Sequence, residues 1–350
     1  MRALVLNDSL RLELVERARP AVAGPRDVLV RVYQTGVCGT DRSVLVGKFS
    51  AAPGVIMGHE SVGEVAEIGM DVTDLAVGDR VIVNPTLYCG RCMSCLDGRM
   101  NFCLNKTGTE VGIDRDGSYA DYIVLEDRFL HRIPDGVSYD RAVLAEPLAC
   151  VLNNLDAAQL TPGEQVIVIG GGPIGLVCAM VARYLGSPVI VIERDEYRRK
   201  QALELLTDIF PDGITVVSTD DMALVPQGPA VIDTVGNQLA FAIDLAAPAG
   251  TVVIMGYDSR AETSVQPLKI LQRGLRIVGA GDFKGPHFPR AVALTARLPL
   301  EKLVTHHFPL EEHEAAFAAL AVGFNQGSVG FNQGYSALKV VIRSTTEDSE

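Results

Sequence analysis

Four cysteines that lie close together in the sequence are the residues best suited to bind a metal ion. Cys89, Cys92, Cys95 and Cys103 follow the spacing C-x2-C-x2-C-x7-C. Four thiolates fill the tetrahedral coordination of one zinc ion and leave no position for a substrate. The spacing therefore predicts a structural zinc. A C-x-x-C pair also occurs in redox centres, but the third and fourth cysteines argue against that alternative.

A second set of candidate metal ligands is spread along the chain. Cys38 lies in GVCGTD, His59 and Glu60 lie in GHE, and Glu146 lies in AEPLAC. Three protein ligands of these types leave the fourth position on zinc open to water or substrate, which is the arrangement of a catalytic zinc. The pattern predicts such a site, with Glu60 and Glu146 both candidates for the carboxylate. The chain should then hold two zinc ions.

A glycine-rich segment, VIVIGGGPIGL, occupies positions 166–176. Gly170, Gly172 and Gly175 form G-x-G-x-x-G directly after an apolar run, with Pro173 and Ile174 inside the motif. Glycines at these positions let the backbone approach a pyrophosphate at the N-terminus of the following helix. In this strand–turn–helix context the motif predicts a dinucleotide-binding site.

An acidic residue in the right place indicates which dinucleotide binds. Glu193 ends the next apolar run, 18 residues after Gly175. A carboxylate there accepts hydrogen bonds from the adenosine ribose and repels a 2′-phosphate, so that NAD is favoured over NADP. Arg194, Arg198 and Arg199 are close enough to weaken this preference, and Arg198 is a candidate cofactor-binding residue.

The elements that must position these residues show two different sequence patterns. Up to about residue 150 the chain has short β-branched runs separated by Gly, Pro and Asp, which predict a β domain. Apolar runs then alternate with helical segments, which predicts a doubly wound parallel sheet and an α/β fold. The six runs are 166–169, 189–193, 214–218, 230–235, 251–256 and 275–280. The crossover between the third and fourth runs is too short for a full helix.

The end of the chain is too small for a core of its own and should fold back onto the first domain. We predict a helix over 311–322, a strand over 338–342 and a frayed acidic tail. The repeat GFNQG, at 323–327 and 330–334, is interpreted as a loop with a chance duplication. The domains are thus expected at 1–153 with 287–350, and at 154–286.

Composition excludes several classes of protein. With 350 residues, 48% hydrophobic and 21% charged, the chain is long enough for two domains and too apolar for extensive disorder. A formal charge of −12 disfavours binding to nucleic acid or an anionic membrane. The seven cysteines do not suggest a disulfide scaffold. Cys150 and Cys178 are expected in the core. The first residues do not resemble a targeting signal, which predicts a cytoplasmic protein.

In this order, GVCGTD, GHE, the four-cysteine segment, EPLAC and VIVIGGGPIGL resemble the zinc-containing medium-chain alcohol and polyol dehydrogenases. The resemblance covers nearly the whole chain. It implies a GroES-like β catalytic domain, completed by the C-terminal segment, and a Rossmann domain in the middle. It also implies a homodimer or homotetramer.

The resemblance implies roles for individual residues. Cys38 and His59 would be ligands of the catalytic zinc, and Glu146 and Glu60 would be alternatives for the remaining protein ligand. Glu146 resembles the acidic zinc-site residue of the sorbitol, polyol and threonine dehydrogenase branch, where alcohol dehydrogenases have a cysteine.

Three further residues receive roles from the same resemblance. Thr40 would hydrogen-bond the substrate oxygen, and Asp41 would orient His59. Ser43 stands where the family often has a histidine that relays a proton to solvent, so the proton must leave through Ser43, the cofactor ribose or water.

The expected reaction is hydride transfer between NAD(H) and a secondary alcohol or ketone on a small polar molecule such as a sugar, polyol or cyclitol. Alternatives within the superfamily are an NADP-preferring reductase, a simple alcohol dehydrogenase and a zinc-free reductase. A binding protein that has lost the chemistry is a further alternative. Four residues near positions where the family varies are candidates for the substrate pocket: Phe49, Asp114, Arg115 and His287.

Overall fold

The computed structural model describes residues 1–106, 108–325, 328–331 and 334–344. These form two compact units. One contains residues 1–146 and the chain from 284 onward, and the other contains residues 147–283. The expected acidic tail falls almost entirely outside the described residues.

The strands, in chain order, are β1 (Arg2–Leu6), β2 (Leu12–Glu16), β3 (Asp27–Gly36), β4 (Glu60–Ile68), β5 (Arg80–Val83), β6 (Tyr122–Glu126), β7 (Leu130–Arg132), β8 (Val166–Ile169), β9 (Val189–Ile192), β10 (Ile214–Val217), β11 (Gly228–Asp233), β12 (Ala246–Ile254), β13 (Arg276–Gly279), β14 (Val304–Pro309), β15 (Val322–Asn325), β16 (Ser328–Phe331) and β17 (Lys339–Arg343). The α-helices are α1 (Gly39–Leu45), α2 (Met93–Leu96), α3 (Tyr139–Ala142), α4 (Ala145–Ala158), α5 (Pro173–Tyr184), α6 (Glu196–Ile209), α7 (Leu239–Leu245), α8 (Pro267–Arg273), α9 (His287–Thr295) and α10 (His313–Ala319).

The unit formed by residues 147–283 is built on a parallel sheet with the strand order β10-β9-β8-β11-β12-β13. Its central strands are runs of buried Val and Ile, as expected when helices cover both faces of a sheet. The six predicted runs all form strands of this sheet, and the α/β fold class is confirmed. The short crossover is a 3-10 helix at Thr219–Leu224.

The other unit contains a seven-strand β-sheet. Six strands follow the order β14-β17-β3-β4-β5-β7, and β6 pairs with β3. β17, near the C-terminal end, pairs with β3 from the first forty residues, so distant parts of the chain contribute to one sheet. An apolar core that includes Leu4, Tyr119 and Phe317 lies against this unit's sheet.

At the end of the chain, one prediction is correct only in part and another is wrong. The helix expected over 311–322 is present but shorter: a 3-10 turn at Leu310–Glu312 leads into α10, which ends at Ala319. It does not extend to residue 322, because Ala321 takes a left-handed backbone (φ 63°) that a helix cannot continue. The GFNQG repeat was interpreted as a loop, but residues 323–325 of the first copy lie in β15 and residues 330–331 of the second lie in β16, and these strands pair antiparallel. The copies begin seven residues apart, which is long enough for each to contribute to a different strand.

Among the described helices, none is long and apolar enough to cross a membrane.

Candidate active site

The four-cysteine segment brings its thiols together in space. Sγ of Cys92 lies 3.4 Å from Sγ of Cys95 and 3.9 Å from Sγ of Cys103, and Sγ of Cys89 lies 4.0 Å from Sγ of Cys95. Thiolates at about 2.3 Å from a tetrahedral zinc are separated by about 3.8 Å. The four sulfur atoms therefore fit one zinc ion.

Backbone amides in this segment point at the sulfur atoms. Cys103 Sγ accepts hydrogen bonds from the backbone N–H of Cys89 and of Asn105, both at 3.4 Å. Backbone amides and the Asn105 side chain lower the pKa of the Cys89 thiol to about 5, whereas burial raises that of Cys95 to about 12. Zinc binds the thiolate form, which the environment favours at Cys89 but not at Cys95.

A second cluster is formed at the junction of α1 and β4. Cys38 is the N-cap of α1, and Glu60 is the first residue of β4, directly after His59. One ligand atom from each of these three residues lies within 4.8 Å of the others. The sulfur, nitrogen and oxygen donors are those that zinc binds, so the group fits a catalytic zinc.

Asp41 contacts two residues of this cluster. Its Oδ2 accepts hydrogen bonds from the backbone N–H of Cys38 (2.9 Å) and the Tyr119 hydroxyl (2.8 Å), and its Oδ1 lies 3.6 Å from Nδ1 of His59. Burial lowers the pKa of His59, but the charges of Asp41 and Cys38 more than offset this and raise the pKa well above its ordinary value. Zinc binds the neutral imidazole, so metal binding and protonation compete for this ring.

Gly58 allows the chain to enter this arrangement. Its φ of 91° is in the region that favours glycine, and a Cβ there would lie 2.9 Å from the ring of Tyr119. The ring that hydrogen-bonds Asp41 thus packs directly against the residue before His59.

Glu60 has a partner that sequence reasoning missed. The ammonium of Lys339, on β17, donates to Oε2 of Glu60 and to the carbonyl of Val37. Glu146 is the second residue of α4 and does not belong to the three-residue group among the described residues. Its negative charge nevertheless acts to raise the pKa of both His59 and Lys339. The carboxylates of Glu60 and Glu146 thus both interact electrostatically with groups at the Cys38–His59 cluster.

The other predicted catalytic residues lie on α1. The Thr40 hydroxyl is 3.6 Å from Sγ of Cys38. Ser43 follows three residues later and therefore lies on the same face of the helix. Tyr119 and Lys339 are the residues that sequence analysis did not find. Lys339 had one signal, a lysine inside the apolar run ALKVVI.

The predicted pocket residues lie in three places. Asp114 and Arg115 are exposed in the segment that precedes β6, Phe49 follows α1, and His287 is buried at the start of α9. Cys178 is buried as expected, whereas Cys150 is half-buried rather than fully in the core.

The glycine motif forms the turn between β8 and α5. Gly170 has φ 104°, and a Cβ there would lie 2.7 Å from the Thr234 hydroxyl, while a Cβ at Gly175 would collide with the Gly170 carbonyl. Gly172 is the N-cap of α5, and Pro173 is its first residue. Gly172 and Ile174 are partly exposed at this N-terminus, which leaves backbone amides for a phosphate.

Glu193, at the end of β9, is tied to this turn. Its Oε2 accepts a hydrogen bond from the backbone N–H of Gly171 and its Oε1 from that of Asp195, both at 2.7 Å. The guanidinium of Arg198 lies against Gly172, since a Cβ at Gly172 would be 3.4 Å from it. A fixed carboxylate and a cation therefore border the dinucleotide turn.

Metal ligands in one unit and a dinucleotide turn in the other are what a metal-dependent dehydrogenase requires, and this is the class that the fold and the sites define. Residues 24–135 match the alcohol dehydrogenase GroES-like domain, and residues 173–297 match the zinc-binding dehydrogenase domain. The chain belongs to the family of zinc-containing medium-chain dehydrogenases.

Individual relatives agree with this assignment. The chain is 33% identical to a sorbitol dehydrogenase of Halalkalibacterium halodurans, over 86% of this chain and 90% of the relative. It is 30% identical to D-xylulose reductase A of Aspergillus oryzae, over 92% and 94%. A structure described as a zinc-binding dehydrogenase from Sinorhizobium meliloti, bound to NADP, is 31% identical with a TM-score of 0.84, covering 98% of both chains.

Proposed function

We propose that this enzyme transfers a hydride between NAD(H) and a secondary alcohol or ketone of a polyol or sugar. The observation that carries the proposal is the cluster of Cys38, His59 and Glu60, whose donors suit an open zinc site. The glycine turn of the other unit binds the nicotinamide dinucleotide in this proposal.

Each residue of the cluster has a defined task. Cys38, His59 and one carboxylate, from Glu60 or Glu146, hold the metal, and Asp41 orients His59. A zinc ion at this site supplies Lewis acidity to a substrate oxygen. The Thr40 hydroxyl accepts the alcohol proton and passes it outward, and Ser43 stands one turn further along α1 to continue its path.

The four-cysteine segment holds the second zinc in this proposal. All its ligand positions are occupied by protein, so its task is to stabilise the segment between Cys89 and Cys103.

NAD is the preferred cofactor in this proposal. The Glu193 carboxylate is held by two backbone amides, which leaves its remaining lone pairs for the ribose hydroxyls. A 2′-phosphate would meet this negative charge. The Arg198 guanidinium favours the opposite choice, and a relative binds NADP, so NADP is the second cofactor that the site would accept.

A polyol or ketose substrate is supported by the relatives. Sorbitol is a linear polyol and D-xylulose is a ketose, so both named relatives act on a polar chain of hydroxyl groups. We further propose that the enzyme is a cytoplasmic homodimer or homotetramer.

The test is a panel of polyols, cyclitols, aldoses and simple alcohols with NAD and NADP, followed by absorbance of the reduced nicotinamide. Reduction of NAD by polyols is the expected result. Cys38→Ser should abolish turnover, because it replaces a thiolate ligand with a weak hydroxyl ligand. Cys178→Ala changes a buried cysteine outside the cluster and is the matched control. Turnover that survives Cys38→Ser would contradict the proposal.

A further inference from the structure

The ion pair between Lys339 and Glu60 is buried beside the candidate catalytic site. The side chains are 3% and 1% exposed. Besides Glu60, the Lys339 ammonium donates to the Val37 carbonyl at 3.0 Å, one residue before Cys38. Lys339 therefore contacts one candidate metal ligand, Glu60, and the residue that precedes another, Cys38.

The backbone makes room for this pair. On β3, Gly36 is opposite Glu60 of β4 on one side and opposite Val341 of β17 on the other. A Cβ on Gly36 would collide with Oε2 of Glu60 and would lie 3.0 Å from Cε of Lys339. The two side chains thus meet directly over the α-carbon of Gly36, where any larger residue would separate them.

Charge gives the pair a consequence for metal binding. Around the cluster lie the thiol of Cys38 and the carboxylates of Asp41, Glu60 and Glu146. An ammonium and a divalent cation both attract Glu60 and repel each other. A Glu60 carboxylate that is paired with the ammonium therefore binds a metal ion more weakly.

We propose that Lys339 is a positioning residue that restrains Glu60 from binding the catalytic metal strongly. This inference rests on the proposed function, because it assumes a metal at the Cys38–His59 cluster. The proposal gives β17 a role in the reaction. Lys339 on this strand weakens coordination of the metal by Glu60, and this keeps one metal position open for substrate.

The experiment measures zinc affinity at this site by competition with a chelator. Lys339→Gln should raise the affinity about tenfold or more, the scale on which partners of metal ligands act. After Co²⁺ replacement, its visible absorption should weaken and shift as Glu60 adds a ligand, and kcat should fall. Lys339→Arg keeps the charge and should restore wild-type affinity. A merely structural lysine would give the opposite sign, since a loosened site binds zinc more weakly.

Two further variants separate the explanations. In a Glu60→Gln background, Lys339→Gln should no longer change the zinc affinity. Gly36→Ala keeps both charges but forces the pair apart, so it should raise the affinity as Lys339→Gln does, and it provides the test if Lys339→Gln does not fold. Unchanged or weaker zinc binding in soluble Gly36→Ala or Lys339→Gln protein would overturn the proposal.

The wild-type protein distinguishes this failure from failure of the proposed function. If it binds no zinc at the cluster, both proposals fall. If it binds zinc there and turns over a polyol, but the variants show no gain in affinity, only the role of Lys339 is refuted.

Discussion

Oδ1 of Asp41 lies 3.6 Å from Nδ1 of His59, while Oδ2 of the same carboxylate caps α1 through the backbone N–H of Cys38. One buried side chain thereby contacts two candidate metal ligands that are 21 residues apart in the sequence. Partners of this kind orient the ring of a ligating histidine and increase its basicity.

Asp41→Asn should weaken zinc binding at this cluster by about 10–100-fold, because the amide keeps the shape of the side chain and loses its charge. Chelator competition gives the affinity. Tyr119→Phe removes a hydrogen bond to Asp41 but keeps the carboxylate, so it should have the smaller effect. Equal zinc affinity in wild type and Asp41→Asn would refute the orienting role.

Cys103→Ser should reduce the zinc content from two ions per chain to one and lower the thermal midpoint, because three thiolates no longer close the site. Metal analysis of the purified protein counts the ions, and Cys178→Ala should retain two. A Cys103→Ser protein that still holds two zinc ions would show that the segment is not a four-thiolate site.

Glu193→Ala should raise the KM for NAD by about tenfold while changing that for NADP little, since the carboxylate recognises ribose hydroxyls that NADP lacks at the 2′ position. Arg198→Ala should have the opposite bias and raise the KM for NADP more. The measurement is initial rate against each cofactor at saturating substrate. Equal effects of Glu193→Ala on both cofactors would contradict the assignment.

Asp140 should contribute stability that disappears in acid. Burial acts to raise the pKa of Asp140, but hydrogen bonds from His307 and Gln34 lower it by more. The pKa therefore lies below its ordinary value. A carboxylate whose pKa is lowered on folding stabilises above its unfolded value of about 3.9 and loses that contribution as pH falls through the folded value.

Asp140→Asn should therefore lower the free energy of unfolding by about 1 kcal/mol near neutral pH, and the difference should shrink below about pH 4. Denaturant unfolding at several pH values measures it. Asp97→Asn removes half of an exposed ion pair with Arg99 and should change stability little. A difference that is constant down to pH 3 would rule out the carboxylate as its source.

Local sequence signals predicted much of the fold because they depend on neighbouring residues. Alternating apolar runs gave the parallel sheet, and the glycine motif gave the turn before α5, since period and backbone freedom are local properties. The end of the chain was harder. α10 is shorter than expected, and residues 323–325 and 330–331 of the GFNQG repeat lie in paired strands, because a short glycine-rich segment takes its structure from what it packs against.

The sequence by itself determined the types of ligand and the cofactor motif: four closely spaced cysteines, a Cys, His and carboxylate set, and a glycine turn followed by an acid. Only the tertiary structure decided that Glu60 pairs with Lys339, 279 residues away, and that Tyr119 holds Asp41. The reason is physical. Contacts between distant strands depend on sheet order and register, and these are set by packing over the whole unit and not by any local pattern.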